Sequence, residues 1–186
     1  MPVTKVNPVE VDQKLFETFC VVGYDSASME MLAGATGLKK ASLYHRFPEG
    51  KKQMGLHVLA NVATWINENI VAVLNDENAP VKKRLKEAIT AINTLYNGGS
   101  FNCILRMMSV GTDAETFKDI IASCFLNLTE SFAMIAKANG LTKAKALRSA
   151  QDVVVFIQGS LVLSRAMNDN RYFQNCLLDI PVMLSK

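Results

Sequence analysis

The sequence has no uncharged apolar run approaching the ~18 residues that a membrane-crossing helix needs, so no membrane span is expected. It also lacks the long apolar stretch of a secretory signal near its start, which makes a cytoplasmic location the expectation. Cysteine is scarce and dispersed. Cys20, Cys103, Cys124 and Cys176 form no C-x-x-C, and no His–Cys group has metal-ligand spacing. Each falls in an apolar helical pattern, so they read as reduced core thiols, with redox sensing as the lesser alternative. The only histidines are His45 and His57, and there is no G-x-S-x-G, P-loop or H-E-x-x-H. Neither catalysis, a metal nor a cofactor is expected. The net charge of +3 is too small by itself to imply a nucleic-acid partner. Strand-like alternation of useful length, internal repeats and low-complexity tracts are missing as well.

What remains is helix. With 186 residues, 49% apolar and 20% charged, the chain is an ordinary globular sequence with room for a sizeable core in one or two domains. Asn7-Pro8 opens a helix whose Val11, Leu15, Phe19 and Val22 recur at helical spacing, and Gly23 ends it. Residues 1–7 before it read as a short arm in which Lys5 is within reach of a phosphate. A long helix is expected from Lys52 to about Asn75, and another from Val81 to Tyr96. A short one follows over about Asn102 to Val110. Thr112-Asp113-Ala114-Glu115 reads as a capping box starting a helix that runs to about Ala138. Thr142 caps the next, to about Met167, and the last spans Arg171 to Leu178 before Pro181.

The most informative stretch is Ser28 to Lys51. Ser28 can cap a short helix, Thr36-Gly37 breaks it, and a second short helix follows from about Lys39 to Phe47. Leu43 and Phe47 lie four apart and face inward, leaving Lys39, Lys40, Ser42 and His45 outside. Two short helices joined by a tight glycine turn have the geometry of a helix-turn-helix. The first residues of its second helix would then meet base edges in the major groove. Lys39, Lys40, Ala41 and Ser42 offer cations for guanine, a methyl for thymine and a hydroxyl for phosphate or base. Between Lys39 and Lys52 there are five cations against Glu49 alone, the charge balance that phosphates favour. Helix pairs of this kind also occur in proteins that bind no nucleic acid, and a helical protein-interaction module is the alternative.

Phe19, Gly23-Tyr24, Ser28-Met29, Leu32-Ala33, Gly37-Leu38, Ser42-Leu43-Tyr44, Phe47 and Gly50-Lys51 together resemble the N-terminal signature of TetR-type transcriptional regulators. The likeness covers about residues 8 to 60. It implies an all-α fold of about nine helices. A three-helix DNA-binding domain (1–55) would lead into a larger effector-binding and dimerisation domain (56–186), joined within the long helix. It implies that Ser28, Ser42, Tyr44 and Lys51 approach the DNA backbone, and that Lys39, Lys40 and Ala41 face bases, with His45 on the same surface. Glu30 departs from relatives that place a cation there; its carboxylate either accepts from cytosine N4 or points away.

The resemblance further implies a homodimer built by the last two long helices, through Ala150, Val153, Val154, Ile157, Leu161, Tyr172, Phe173 and Leu177. The same residues can also be read as ordinary core. For a small-molecule effector, apolar or aromatic, it implies a pocket among the middle helices. Trp65, Tyr96, Phe101, Met107, Met108, Phe117 and Phe125 are the candidates, with Arg106 placed for an anionic group. The implied partners are therefore a pseudo-palindromic duplex operator, an effector and a second copy of the chain, and the implied outcome is repression.

Overall fold

The computed structural model describes residues 7–185, and the expected N-terminal arm with Lys5 lies outside them apart from Asn7. Nine helices and no strand occur among the described residues. They are α1 (Pro8–Val22), α2 (Met29–Thr36), α3 (Lys40–Arg46), α4 (51–75), α5 (Val81–Leu95), α6 (Ile104–Met108), α7 (Ala114–Ala138), α8 (Lys143–Met167) and α9 (Arg171–Met183). They divide into two compact units. The first runs through Val62 and takes up Ile104–Asp119; the second holds Ala63–Cys103 and Ile120–Lys186. About halfway along α4 the chain changes unit, and a later segment returns to the first.

The first unit is a small core around which α1, α2 and α3 close. Leu15 and Phe19 of α1, Leu32 of α2, Leu43 of α3 and Met54 of α4 are all fully buried. Asn7 caps α1 by accepting from the Val9 amide at 3.1 Å. Gly55 lies inside α4, where glycine weakens a helix. Space explains it, because a Cβ there would stand 2.8 Å from the Phe117 ring and 2.9 Å from Tyr24.

The second unit packs the end of α4, α5, the later part of α7, and the antiparallel neighbours α8 and α9. Ile70, Ile92, Phe132, Val153, Ile157 and Phe173 are among its buried residues. Tyr96 meets Phe173 edge-on, with centroids 5.7 Å apart. Arg84 is buried and donates to the Leu74 carbonyl at 2.9 Å, placing a cation at the C-terminal end of α4 where the helix dipole favours it. By length and composition α7 and α8 are apolar enough to cross a membrane, which the sequence reading did not anticipate. Both carry a buried face, as core helices do. All four cysteines are buried. Burial holds the Cys176 thiol up at about 11, which leaves it protonated and unreactive at neutral pH.

Three local expectations are corrected. Helix α4 is not uniform: Asn67–Val71 form a π-helical turn between Lys51–Ile66 and Ala72–Asn75. No capping box starts α7, since the Thr112 amide donates to Asp25 and Glu115 pairs with Lys118 at 3.1 Å. And α9 continues past Leu178 through Pro181 to Met183. A proline this close to a helix end forfeits only one backbone bond, and two more residues complete the turn.

Candidate nucleic-acid interface

Ser28 sits at the N-cap of α2 in extended conformation, and its Oγ accepts from the Met31 amide at 3.2 Å. At the other end Gly37 is left-handed, with φ 67°, which stops α2 and lets the chain turn at once into α3. Lys39 is the N-cap residue of α3 but offers no side-chain cap, so its ammonium is free to point outward. Leu43 and Phe47 are buried, which fixes the rotation of the helix. Lys40, Ala41, Ser42, Tyr44 and His45 consequently share the exposed arc. Tyr44 leans its ring over the α3–α4 turn, 3.3 Å from the position of a Cβ on Gly50.

The cations of this stretch are not equivalent. Lys39 and Lys52 are exposed and have no ion-pair partner among the described residues. Lys40 Nζ lies 3.4 Å from Glu30 Oε2, so Glu30 reaches across from α2 to the second motif helix. Both groups are exposed, and the pair contributes little stability. Lys51 is half-buried. Its Nζ donates to the carbonyls of Tyr24 and Asp25 at 3.0 and 3.1 Å and sits 4.7 Å above the Tyr24 ring, leaving one donor for any phosphate. Arg46 turns inward: its Nη2 meets Asp12 Oδ1 at 3.0 Å. The other Asp12 oxygen lies 3.1 Å from His57 Nε2, so one carboxylate braces α1, α3 and α4.

A second brace was not visible in the sequence. The Tyr24 hydroxyl donates to Asp113 at 2.6 Å, and the Asp25 carboxylate accepts from the Thr112 amide at 3.3 and 3.4 Å. Burial, then the hydrogen bond and charge of Asp113, push the Tyr24 phenol well above its ordinary range. The turn between α1 and α2 is thereby pinned to the segment preceding α7.

Residues 104–119, that segment with the first turns of α7, account for four of the eight expected effector residues. Phe117 is buried edge-on against Tyr24, centroids 5.0 Å apart. Met108 is buried, and the Met107 methyl fills the space beside Gly23. Arg106 is exposed, with Nη1 3.1 Å from Met107 Sδ. All four belong to the first unit. In the second unit lies a cavity lined by Ile70, Ile92, Tyr96, Phe125, Phe132 and Gln158, among others. Of the expected residues only Tyr96 and Phe125 line it; Trp65 and Phe101 do not. Its free space is only about 20 Å³, room for about one water. No cluster of three metal-ligating side chains occurs among the described residues.

The expected dimer residues divide in the same way. Ala150, Val153, Ile157, Leu161, Phe173 and Leu177 are buried inside the second unit, Val154 lines its cavity, and Tyr172 alone is well exposed. The apolar surface of α8 and α9 is instead made by Val155, Phe156, Val162, Leu163, Leu178 and Val182. Helix α8 is apolar on both sides between Val153 and Leu163, so spacing alone did not say which side faces in.

A capped helix, a left-handed glycine and a second helix with an exposed, cation-bearing start define a helix-turn-helix DNA-binding unit. Residues 16–58 match the family model described as bacterial regulatory proteins, tetR family. A curated relative, the uncharacterized HTH-type transcriptional regulator YxaF of Bacillus subtilis (strain 168), is 20% identical over 171 residues, 90% of each chain. The fold matches a TetR transcriptional regulator from Legionella pneumophila with a TM-score of 0.78, at 21% identity, over 97% of this chain and 98% of that one. It also matches a cysteine mutant of the TetR family regulator CifR, solved with 26-bp double-strand operator DNA. That match has a TM-score of 0.72 at 17% identity, over 99% of this chain and 98% of the other. Residues 16–58 thus carry a TetR-type helix-turn-helix, and the fold of the chain is similar to those of TetR-family regulators.

Proposed function

We propose that the protein is a ligand-released repressor that grips a pseudo-palindromic duplex operator as a two-fold dimer. The observation that carries this reading is the outward arc of α3, where Lys39, Lys40, Ala41, Ser42, Tyr44 and His45 stand together above a buried Leu43. Lys39 and Lys40 are assigned to base edges, Ala41 to a thymine methyl, and Ser28, Ser42, Tyr44 and the remaining donor of Lys51 to phosphates. The operator complex of the CifR mutant supports a duplex partner for this fold.

Two α3 helices are needed to read a two-fold site. The apolar face of Val155, Phe156, Val162, Leu163, Leu178 and Val182 supports self-association, since a monomer rarely leaves such a patch uncovered. A ligand can release DNA only by binding the DNA-competent and incompetent arrangements unequally. The small cavity of the second unit supports this, because filling it with more than about one water requires its walls to move. Such a protein works in the cytoplasm and catalyses nothing.

The test is anisotropy of labelled genomic duplexes selected by the purified protein, read across a salt series. Affinity for the selected sequence should fall steeply with salt and exceed that for random duplex. A protein-interaction module would bind neither.

A further inference from the structure

We infer that the ligand of the second unit's cavity is a small, neutral, mainly apolar molecule carrying one hydrogen-bond donor, which it gives to Gln158. This rests on the reading above that the second unit takes an effector, and it specifies the chemistry of that effector.

The lining excludes most alternatives. None of its residues is charged, so a carboxylate, phosphate or ammonium group entering it would lose its hydration without gaining a counter-ion. Arg106, the cation expected to meet an anionic group, belongs to the first unit. Ile70, Ile92, Phe125 and Phe132 supply aliphatic and aromatic surface suited to an apolar body. Only two lining residues carry a polar side-chain group. The Tyr96 hydroxyl lies 3.5 Å from Cys103 Sγ. Gln158 Oε1 is buried with no hydrogen-bond partner.

A buried acceptor without a donor is an unmet cost in the folded protein. A phenol, indole or secondary amide would meet that cost on binding, whereas an ether of the same shape would not. The cavity's small volume makes the ligand compact and the site one that opens on demand. Phe125 is only half-buried, and Ile70 lies on the π-helical turn of α4, a segment whose bonding can slip toward an ordinary helix.

Calorimetric titration of the full chain with 4-propylphenol, its methyl ether and 4-propylbenzoate tests this. The phenol is expected to bind at least ten-fold more tightly than the ether, and the benzoate not at all. Gln158→Leu should bring the phenol down to the level of the ether while leaving the ether no weaker, and Gln158→Met should do the same. Equal binding of phenol and ether, tighter binding of the benzoate, or an unchanged phenol-to-ether ratio in the variants would overturn the assignment while leaving the effector reading in place. Failure of all three probes to bind would overturn both.

Discussion

Tyr24 and Asp113 are 89 positions apart in the chain, and their hydroxyl and carboxylate meet at 2.6 Å inside the first unit. The bond ties the approach to the first motif helix to the segment before α7. Tyr24→Phe keeps the ring contacts with Phe19 and Phe117 and leaves Asp113 without its donor. The variant should lose about 1–3 kcal/mol, seen as a lower midpoint in urea.

The same pair sets an alkaline limit. The folded Tyr24 phenol is raised above its unfolded value by burial and by Asp113, so the folded chain holds this proton longer than the unfolded one. Its contribution is complete below about pH 10, the ordinary tyrosine value, and is lost as pH rises from there. Denaturation of wild type and Tyr24→Phe at pH 8, 10 and 11 should show their stability difference shrinking with pH. A constant difference would contradict the assignment.

Glu30 restrains Lys40 and adds negative charge to a surface facing phosphates. Glu30→Gln is expected to raise affinity for random duplex several-fold and to steepen the salt dependence, lowering the ratio of selected to random binding. Lys39→Ala, which removes an unpaired cation, should weaken binding and reduce the salt slope by about one.

Asp12 contacts no candidate DNA-facing residue, yet it anchors Arg46 of the motif helix and faces His57. Asp12→Ala should lower stability by about 1–2 kcal/mol, as expected for a partly exposed pair whose loss leaves a cation unmatched. DNA affinity should fall through a displaced α3, with the salt slope unchanged because no phosphate contact is lost. A reduced slope would mean that Asp12 acts through charge instead.

Leu178 is 75% exposed and Val155 69%. Leu178→Glu or Val155→Asp should convert a dimer to a folded monomer, measured by light scattering with unchanged helical circular dichroism. Ile157→Asp, inside the core, should unfold the second unit. A wild-type monomer at micromolar concentration would refute the dimer.

Much of the first unit was legible because its signals are local. Ser28, Gly37 and the Leu43–Phe47 spacing each specify backbone or burial within a few residues, and together they set which side of α3 faces out. The supports of that face were not legible. Asp12 with Arg46, and Tyr24 with Asp113, are contacts between distant segments, and nothing near either residue distinguishes such a carboxylate from a solvated one. In residues 104–119 of the first unit and in α8 of the second, the difficulty was excess rather than absence of signal. Aromatic and methionine residues at helical spacing in α6 and α7 suit a pocket wall and a core equally, and Phe117 and Met108 went to the core. Likewise α8 offers two apolar sides, and packing against α9 chose between them.

Buried residues recur at every fourth position along α4: Met54, Val58, Val62, Ile66, Ile70 and Leu74. A regular helix turns about 100° per residue, so each such step carries the stripe about 40° around the rod. The π turn at Asn67–Val71 holds more residues than a regular turn and slows that drift over the last two steps. Removing one residue there would swing Leu74 by roughly a quarter-turn, out of its slot, although no contact had been deleted. The length of this rod, counted in residues, is therefore as constrained as any side chain on it.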